Sequence, residues 1–204
     1  DCLLSRGLGD VYKRQVYHAV RGEYATGTHI LVKIELKGTS ISIINNGELA
    51  LQRNINYGVD SAVETVRAFP EFGDRLDVGE ALEVLCNRRC IYSALDMMPA
   101  DEMASDEDKM LETARAEVTE SLRYMIGNIS RIMDYYISRH TDATFETIDC
   151  CGLGAQVQGL MELLTNELGQ PVKVLEKVEN FVLPSSAENE GAYLYAAVMA
   201  PSIS

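Results

Sequence analysis

The strongest candidate for chemistry is a glycine turn between a predicted strand and a predicted helix, in the segment IDCCGLGAQVQGL at residues 148–160. Glycines directly after a strand let the backbone approach a phosphate or a base, and the next helix offers amide donors and the positive end of its dipole. Gly152 and Gly154 are therefore candidate nucleotide-binding residues. The same glycines also fit a tight turn that binds nothing, and the sequence leaves both interpretations open.

Other catalytic motifs are missing from the sequence. The glycine turn lacks the third glycine of a GxGxxG motif at the required position. The chain also contains no GxxxxGK[ST], HExxH or GxSxG motif. The three histidines, His18, His29 and His140, stand far apart. No catalytic residue is assigned, and the sequence does not establish an enzyme.

The five cysteines are an odd set without a secretory leader, which is typical of reduced thiols in a cytoplasm. Cys86 and Cys90 are four residues apart on a predicted helix and could share one face, but no second CxxC or HxxxH pair accompanies them. Buried apolar cysteines explain this spacing better than half of a zinc site. We therefore predict no metal site.

The net charge of the chain limits its partners. The formal charge is −13, and the 18 lysines and arginines are scattered without forming a run. Nucleic acid and anionic membranes would be repelled by this average field. The sequence has no apolar window long enough to span a bilayer, so no direct membrane insertion is predicted.

Strand signals dominate the first part of the chain that has a clear pattern. Residues 1–15 show neither a strand nor a helix pattern and resemble translated adapter sequence, so we expect a non-native tail produced by a sequencing artefact. Alternating apolar residues predict an antiparallel, three-stranded meander over 30–55. The NNG at 45–47 is a hairpin signal because Asn and Gly tolerate positive φ.

Helical spacing dominates the remainder. Asp77, followed by Glu80, is a capping-box signal for the second helix, and Gly169 is a C-terminal signal for the helix after the glycine turn. An acidic, turn-rich segment at 96–108 is predicted to be an exposed loop. Helices are predicted at 59–69, 77–95, about 107–139, after the glycine turn, and at 190–200, and strands at 145–151 and 171–176.

Two segments resemble motifs of the actin-like ATPase superfamily. The stretch ILVKIELKGTSISIINNGELALQRNINYG at 30–58 is similar to its second phosphate hairpin, and IDCCGLGAQVQGLMELLTNELGQPVKVLE at 148–176 is similar to its adenosine motif. The matching residues are Thr39, Asn46-Gly47, Arg53, Tyr57-Gly58, Cys151 to Ala155 and Gly159-Leu160. Within the superfamily the chain most resembles the PilM family of type IV pilus assembly proteins, which is related to the cell-division protein FtsA.

This resemblance covers about residues 28–200 and implies an α/β, ribonuclease H-like fold. We expect residues 16–204 to form the C-terminal lobe of an actin-like domain, with a mixed sheet, the three-stranded meander, flanking helices and a smaller helical insertion near 59–110. The N-terminal lobe would then be missing from this chain. An actin-like site lies between two lobes, so one lobe alone is expected to bind ATP weakly.

The resemblance also implies a set of cofactor-binding residues, and several of its positions are altered. The implied set is Thr39, Gly152, Gly154, Ala155 and Lys33. Lys33 replaces an Asp that organises Mg²⁺ and its waters, and Lys cannot ligate a metal ion.

Four further positions in the same region differ from the family pattern. Glu35 replaces a Gly and adds negative charge near the phosphates. Leu153 replaces a glycine of the adenosine motif, and Leu82 and Leu85 stand where Glu and Lys would face the ribose and base. These changes predict a degenerate nucleotide site with weak or absent binding of ATP and Mg²⁺.

The function implied by the resemblance is a scaffold of type IV pilus assembly, placed in the cytoplasm at the inner face of the plasma membrane through its partners. Those partners would be a PilN-like tail, bound through the missing lobe, and the pilus motor proteins. Two alternatives stay open. One is an active actin-fold ATPase or phosphotransferase whose catalytic lobe is missing, and the other is an α+β interaction domain that binds no nucleotide.

Overall fold

The computed structural model describes residues 24–92 and 105–175 as one mixed sheet with helices. The predicted tail at 1–15, most of the predicted acidic loop and the predicted helix at 190–200 lie outside the described residues. Within the described ranges, no helix is both long and apolar enough to cross a bilayer. The elements are β1 (Thr28–Ile34), β2 (Thr39–Asn45), β3 (Glu48–Ile55), α1 (Asp60–Ala68), α2 (Val78–Asn87), α3 (Asp106–Arg139), β4 (Phe145–Cys151), α4 (Leu160–Leu168) and β5 (Val172–Val174).

The predicted meander is present, and its turns follow the residue types. β1 and β2 are antiparallel, as are β2 and β3. Asn46 and Gly47 form the turn between β2 and β3 with φ of 50° and 74°, in the left-handed region that these two residues tolerate. The Asn46 side chain also accepts a hydrogen bond from the Gly27 amide at 3.0 Å. Local sequence therefore determines this part of the sheet.

Two parallel strands extend the meander into a five-stranded sheet with the order β3-β2-β1-β4-β5. β4 pairs with β1, and β5 pairs with β4. Each parallel pair requires a long crossover, which the helices between the strands provide. β3 and β5 are consequently the two edge strands of the described sheet.

Three helix ends lie at capping residues. Asp77 accepts from the Glu80 amide at 2.8 Å while the Glu80 carboxylate accepts from the Asp77 amide, so the predicted capping box of α2 is present. Ser105 and Asp108 form a second capping box at the start of α3. Residues 106–108, predicted to belong to the acidic loop, therefore form the first turn of α3. Gly169 ends α4 in the left-handed conformation, as predicted.

One face of the sheet packs against all four helices in a single core. Apolar residues that recur every three or four positions along α3 contribute most of its core side chains, including Leu122 and Ile129, which are both fully buried. β-Branched residues of β1 and β2 complete this core. One apolar face of α3 therefore belongs to the same core as the sheet.

The opposite face of β1 and β4 is more polar. His29 is buried, with its ring nitrogens 3.0 Å from Thr147 Oγ1 and 2.6 Å from the Thr26 carbonyl oxygen. The Thr147 hydroxyl donates to Asp149 at 2.8 Å. This isolated histidine therefore has hydrogen-bonding partners within the sheet and an evident structural role.

Candidate functional site

Most of the predicted nucleotide-binding residues lie near the ends of the interior strands β1 and β4. β1 and β4 run parallel, with Lys33 opposite Cys151 in the register. Both strands therefore end at the same place, where ligands bind in open α/β sheets. The turn after β4 begins at Gly152 and lies beside the residues that follow β1. Tertiary structure thus brings the two motif segments together.

Both predicted glycines are required by the packing of this turn. Gly152 has a φ of +80°, and an added Cβ would lie 2.7 Å from the carbonyl oxygen of Ile34. A Cβ on Gly154 would lie 2.6 Å from Cβ of Ile34. Any side chain at either position would overlap with β1. The close packing against β1 explains the glycines whether or not the turn contacts a ligand.

Ala155, another predicted binding residue, lies in a short 3₁₀ helix, Leu153–Gln156. Its amide donates to the Gly152 carbonyl at 3.1 Å, so this amide is committed to the turn. The helix predicted after the glycine turn, α4, begins only at Leu160, so Val157 lies outside it. The left-handed conformation of Gly159, with a φ of +85°, separates the two elements.

Lys33 and Glu35 form an ion pair over the glycine turn. Lys33 Nζ lies 2.9 Å from Glu35 Oε1. A Cβ built on Gly152 would be 3.1 Å from that same Glu35 oxygen and 3.3 Å from Cγ of Lys33. The two side chains therefore lie directly beside Gly152.

This ion pair lowers the suitability of the turn for an anion. Glu35 places a negative charge next to Gly152 and also neutralises Lys33, a nearby cation that would otherwise attract a phosphate. The two side chains are 26% and 47% exposed, so the pair itself contributes at most about 1 kcal/mol to stability. The pair can separate easily, but the carboxylate of Glu35 remains close to the turn.

Thr39 lies at the start of β2, and its hydroxyl group is already engaged. The hydroxyl donates to the carbonyl of Tyr57 at 2.8 Å, and the residue is only 2% exposed. The amides of Val59 and Asp60 donate to the carbonyls of Glu35 and Leu36 at 3.2 and 2.8 Å. These bonds attach the start of α1 to the turn between β1 and β2.

Gly58 allows this attachment. A Cβ at Gly58 would overlap with the carbonyl oxygens of Glu35 and Leu36. The Thr39 and Tyr57-Gly58 matches in the sequence therefore have a structural explanation, since they position the turn that places Glu35 beside Gly152. Sequence reasoning missed this role, because nothing in the local pattern indicates which backbones meet.

Helix α2 lies beside the glycine turn but presents apolar residues there. Leu85 is fully buried, and its carbonyl accepts from the Gln158 amide at 3.4 Å. Leu82 is partly buried and packs against the core. Arg89 pairs with Glu162 of α4 at 3.0 Å and links the two elements. Leu85 therefore belongs to the core of this chain and offers no polar contact to a ligand.

The prediction that Cys86 and Cys90 share a helical face is wrong. α2 was predicted to continue to residue 95, but it ends at Asn87, and Arg88 adopts an extended conformation. Cys90 lies beyond the helix and is fully buried, and its burial raises the pKa of the thiol to about 11. No three His, Cys, Asp or Glu side chains converge on a metal-sized site in the part of the chain that the structure describes.

The two cysteines that end β4 are also buried. Burial raises the pKa of Cys151 to about 12, against a smaller opposing effect of Lys33, and it raises the pKa of Cys150 as well. Both thiols are therefore protonated at neutral pH. A protonated, buried thiol is a poor nucleophile, so these residues pack beneath the turn and are unsuited to covalent chemistry.

Comparison with known proteins identifies the fold. No protein-family model and no curated protein matches the chain by sequence. Among solved structures, the PilM-PilN type IV pilus biogenesis complex matches 93% of this chain and 49% of its own, with a TM-score of 0.60 and 16% identity. MreB5 of Spiroplasma citri bound to AMPPNP matches 93% and 56%, with a TM-score of 0.51 and 14% identity. A non-polymerising mutant of MamK bound to AMPPNP matches 81% and 54%, with a TM-score of 0.52 and 13% identity.

These similarities confirm the predicted fold class. The chain has the fold of the actin-like ATPases, with a mixed sheet and flanking helices. It spans about half the length of the structures that it matches. At identities of 16% or less, the likeness establishes the fold, and activity and partners must be argued from the residues.

Proposed function

We propose that the chain is the C-terminal lobe of an actin-like scaffold of type IV pilus assembly, with a degenerate nucleotide site. The proposal combines the actin-like fold, its likeness to the PilM-PilN complex, and the two motif segments that meet at the ends of β1 and β4. In this proposal the whole protein contains a second, N-terminal lobe, which closes the other side of the site.

The observation that supports a degenerate site is the position of Glu35. Its carboxylate lies beside Gly152, and it pairs with Lys33, which replaces the Asp expected for Mg²⁺ coordination. A triphosphate at this turn would meet the negative charge of Glu35, and Lys33 could not ligate its Mg²⁺ as the family Asp would. Nucleotide binding is therefore weak or absent, and hydrolysis at this lobe is not supported.

The proposed partners follow from the same assignment. The scaffold would bind the cytoplasmic tail of a PilN-like inner-membrane protein through the N-terminal lobe, and it would contact the pilus motor proteins. These contacts would place it at the inner face of the plasma membrane as a peripheral protein. The charge of −13 agrees with attachment through a protein partner, because an anionic bilayer surface would repel the chain.

One observation favours an active actin-fold ATPase or phosphotransferase as the second candidate. The turn after β4 keeps both glycines of the family motif, Gly152 and Gly154, and Gly152 has a φ of +80° that favours glycine. The partly exposed Lys33–Glu35 pair would cost little to separate if a nucleotide bound strongly elsewhere in the cleft. In that case Lys33 would contact a phosphate.

Isothermal titration of Mg-ATP into the protein with both lobes separates these candidates. The test variant is the double substitution Lys33→Asp and Glu35→Gly, which restores the family residues. Lys37→Ala is a matched control, because Lys37 is exposed in the same turn and its removal changes the net charge by the same amount. We expect no heat of binding for the natural protein and the control, and micromolar binding for the double variant.

The other outcomes contradict specific parts of the proposal. Micromolar binding by the natural protein would refute the degenerate site and favour the ATPase. If neither protein binds, then Lys33 and Glu35 are not what prevents binding, and their proposed role in the degenerate site is wrong. The pilus role is tested separately by deleting the gene in its native host, where we expect loss of surface pili, and normal piliation would refute that role.

A further inference from the structure

A groove lies on the far side of the meander from the glycine turn, between edge strand β3 and helix α3. It encloses about 290 Å³. β3 contributes Leu51 and Arg53, and α3 contributes Asn128, Arg131, Ile132 and Tyr135. The candidate nucleotide-binding residues do not line it, so it is a separate surface.

The groove is basic on a strongly acidic chain. Arg53, Arg131 and Arg139 have no carboxylate within 4.0 Å among the described residues. Arg53 donates only to the neighbouring Gln52 carbonyl, and the guanidinium of Arg139 lies 4.8 Å from the ring centroid of Tyr135. Three arginines elsewhere, Arg67, Arg89 and Arg123, each contact a carboxylate, whereas Arg75, Arg88 and Arg115 do not in the described part of the chain.

The groove also has an apolar part. Leu51 and Ile132 are half-buried against the core, and Tyr135 is 44% exposed beside them. Alternation along β3 places Leu51 and Arg53 on the same side, facing α3. Leu51 offers an apolar contact and Arg53 a guanidinium two residues further along. The side chains on one face of an extended peptide have the same two-residue spacing.

The backbone of β3 is available at this groove. β3 is an edge strand of the described sheet, and all of its residues are at least partly exposed. An unpaired strand edge offers a row of amides and carbonyls to another chain. Peptides that add to such an edge gain affinity from main-chain hydrogen bonds and specificity from alternate side chains.

We propose that β3 and this groove bind an extended, acidic peptide segment of another protein, which pairs with β3 as a sixth strand. Its carboxylates contact Arg53 and Arg131, and an apolar side chain packs between Leu51, Ile132 and Tyr135. Charge complementarity selects this occupant, because unpaired arginines on a chain of net charge −13 attract a negatively charged partner.

The probe is a fluorescein-labelled peptide of about eight residues, a usual strand length, that alternates glutamate with valine. Its binding to the full chain is measured by fluorescence anisotropy at low salt. The test variant is the double substitution Arg53→Glu and Arg131→Glu. Lys173→Glu is the control for a charge reversal away from the groove, because Lys173 is an exposed cation on β5, the opposite edge strand.

We expect the natural chain and the Lys173→Glu control to bind the peptide alike, and the double variant to bind about tenfold more weakly or not at all. A lysine-valine peptide should not bind. Two further probes carry N-methyl groups on the odd-numbered or on the even-numbered backbone amides. Only one of these two peptides should lose binding, since only one set of amides pairs with β3.

Several results would overturn the proposal. Undetectable binding by the natural chain, or equal binding by the double variant, would remove the groove as a peptide site. Undiminished binding of both N-methylated peptides would refute strand addition. Equal binding of a single-stranded oligonucleotide of matching charge would indicate a general anion surface, and self-association that the double variant abolishes would assign the groove to a second copy of the chain.

Discussion

Substitution of Gly58 by alanine tests how the turn after β1 is attached to α1. The new Cβ would overlap with the carbonyl oxygens of Glu35 and Leu36, which are rigid backbone atoms and cannot rotate away. Overpacking of this kind costs about 1–3 kcal/mol. The shift would also weaken the hydrogen bonds from Val59 and Asp60 to those carbonyls, each worth about 1 kcal/mol.

Together these effects predict a loss of about 3–5 kcal/mol in the free energy of unfolding. The matched control is Gly127→Ala in the interior of α3, where a Cβ would meet no atom within 4 Å. There the change removes a helix-destabilising glycine and should add about 0.5–1 kcal/mol. The same substitution is thus expected to have opposite signs at the two sites.

Urea unfolding followed by circular dichroism at the helix band measures both changes. With a slope of about 2 kcal/mol per molar urea, Gly58→Ala should lower the midpoint by about 1.5–2.5 M, or prevent folding. Gly127→Ala should raise the midpoint by about 0.3–0.5 M. The reasoning would be refuted if Gly58→Ala unfolded within about 0.3 M of the natural chain, or if Gly127→Ala were the less stable of the two.

Four further predictions concern capping, packing and the thiols. Asp77→Ala removes the capping box of α2 and should cost about 1 kcal/mol in urea unfolding, and a neutral result would contradict that role. Leu122→Ala creates a cavity in the core and should cost about 2–5 kcal/mol, so a loss below about 1 kcal/mol would contradict its burial. Cys150 and Cys151 should resist iodoacetamide at pH 8 until urea unfolds the chain, as mapped by mass spectrometry, and equal labelling rates before and after unfolding would be inconsistent with their raised pKa values. The folded pKa of Cys151 is about 12, above its ordinary value of 9.0. Its contribution to the free energy of unfolding is therefore complete below pH 9 and decreases by about 1.4 kcal/mol per pH unit as the pH rises toward 12. Cys151→Ala should remove this part of the pH dependence.

Local patterns in the sequence were sufficient for most elements of the fold. Alternation predicted the meander, the three- and four-residue spacing predicted α3, and Asp77 and Gly169 marked helix ends that the structure confirms. These signals act over a few residues, because they depend on side-chain direction and on satisfying nearby backbone groups. The order of the elements, together with the two motif segments, was sufficient to predict the actin-like fold.

The end of α2 shows where local pattern fails. The helical spacing continues past Asn87, but the chain turns away so that Cys90 and Ile91 can enter the core, where both are almost fully buried. Burying two apolar side chains outweighs the small preference of a few more residues for a helix. Whether Cys86 and Cys90 share a face was therefore decided by packing and not by their spacing.

The sequence by itself determined which residue types stand at the candidate site, including the glycines, Thr39, and the unusual Lys33 and Glu35. Only the tertiary structure decided what those residues contact. Parallel pairing of β1 with β4 joins segments far apart in the chain and places the Lys33–Glu35 pair beside Gly152, and the pairing of β2 with β3 brings the Thr39 hydroxyl to the Tyr57 carbonyl. Such contacts depend on the register between distant strands, which is set by the packing of the whole core and not by local sequence.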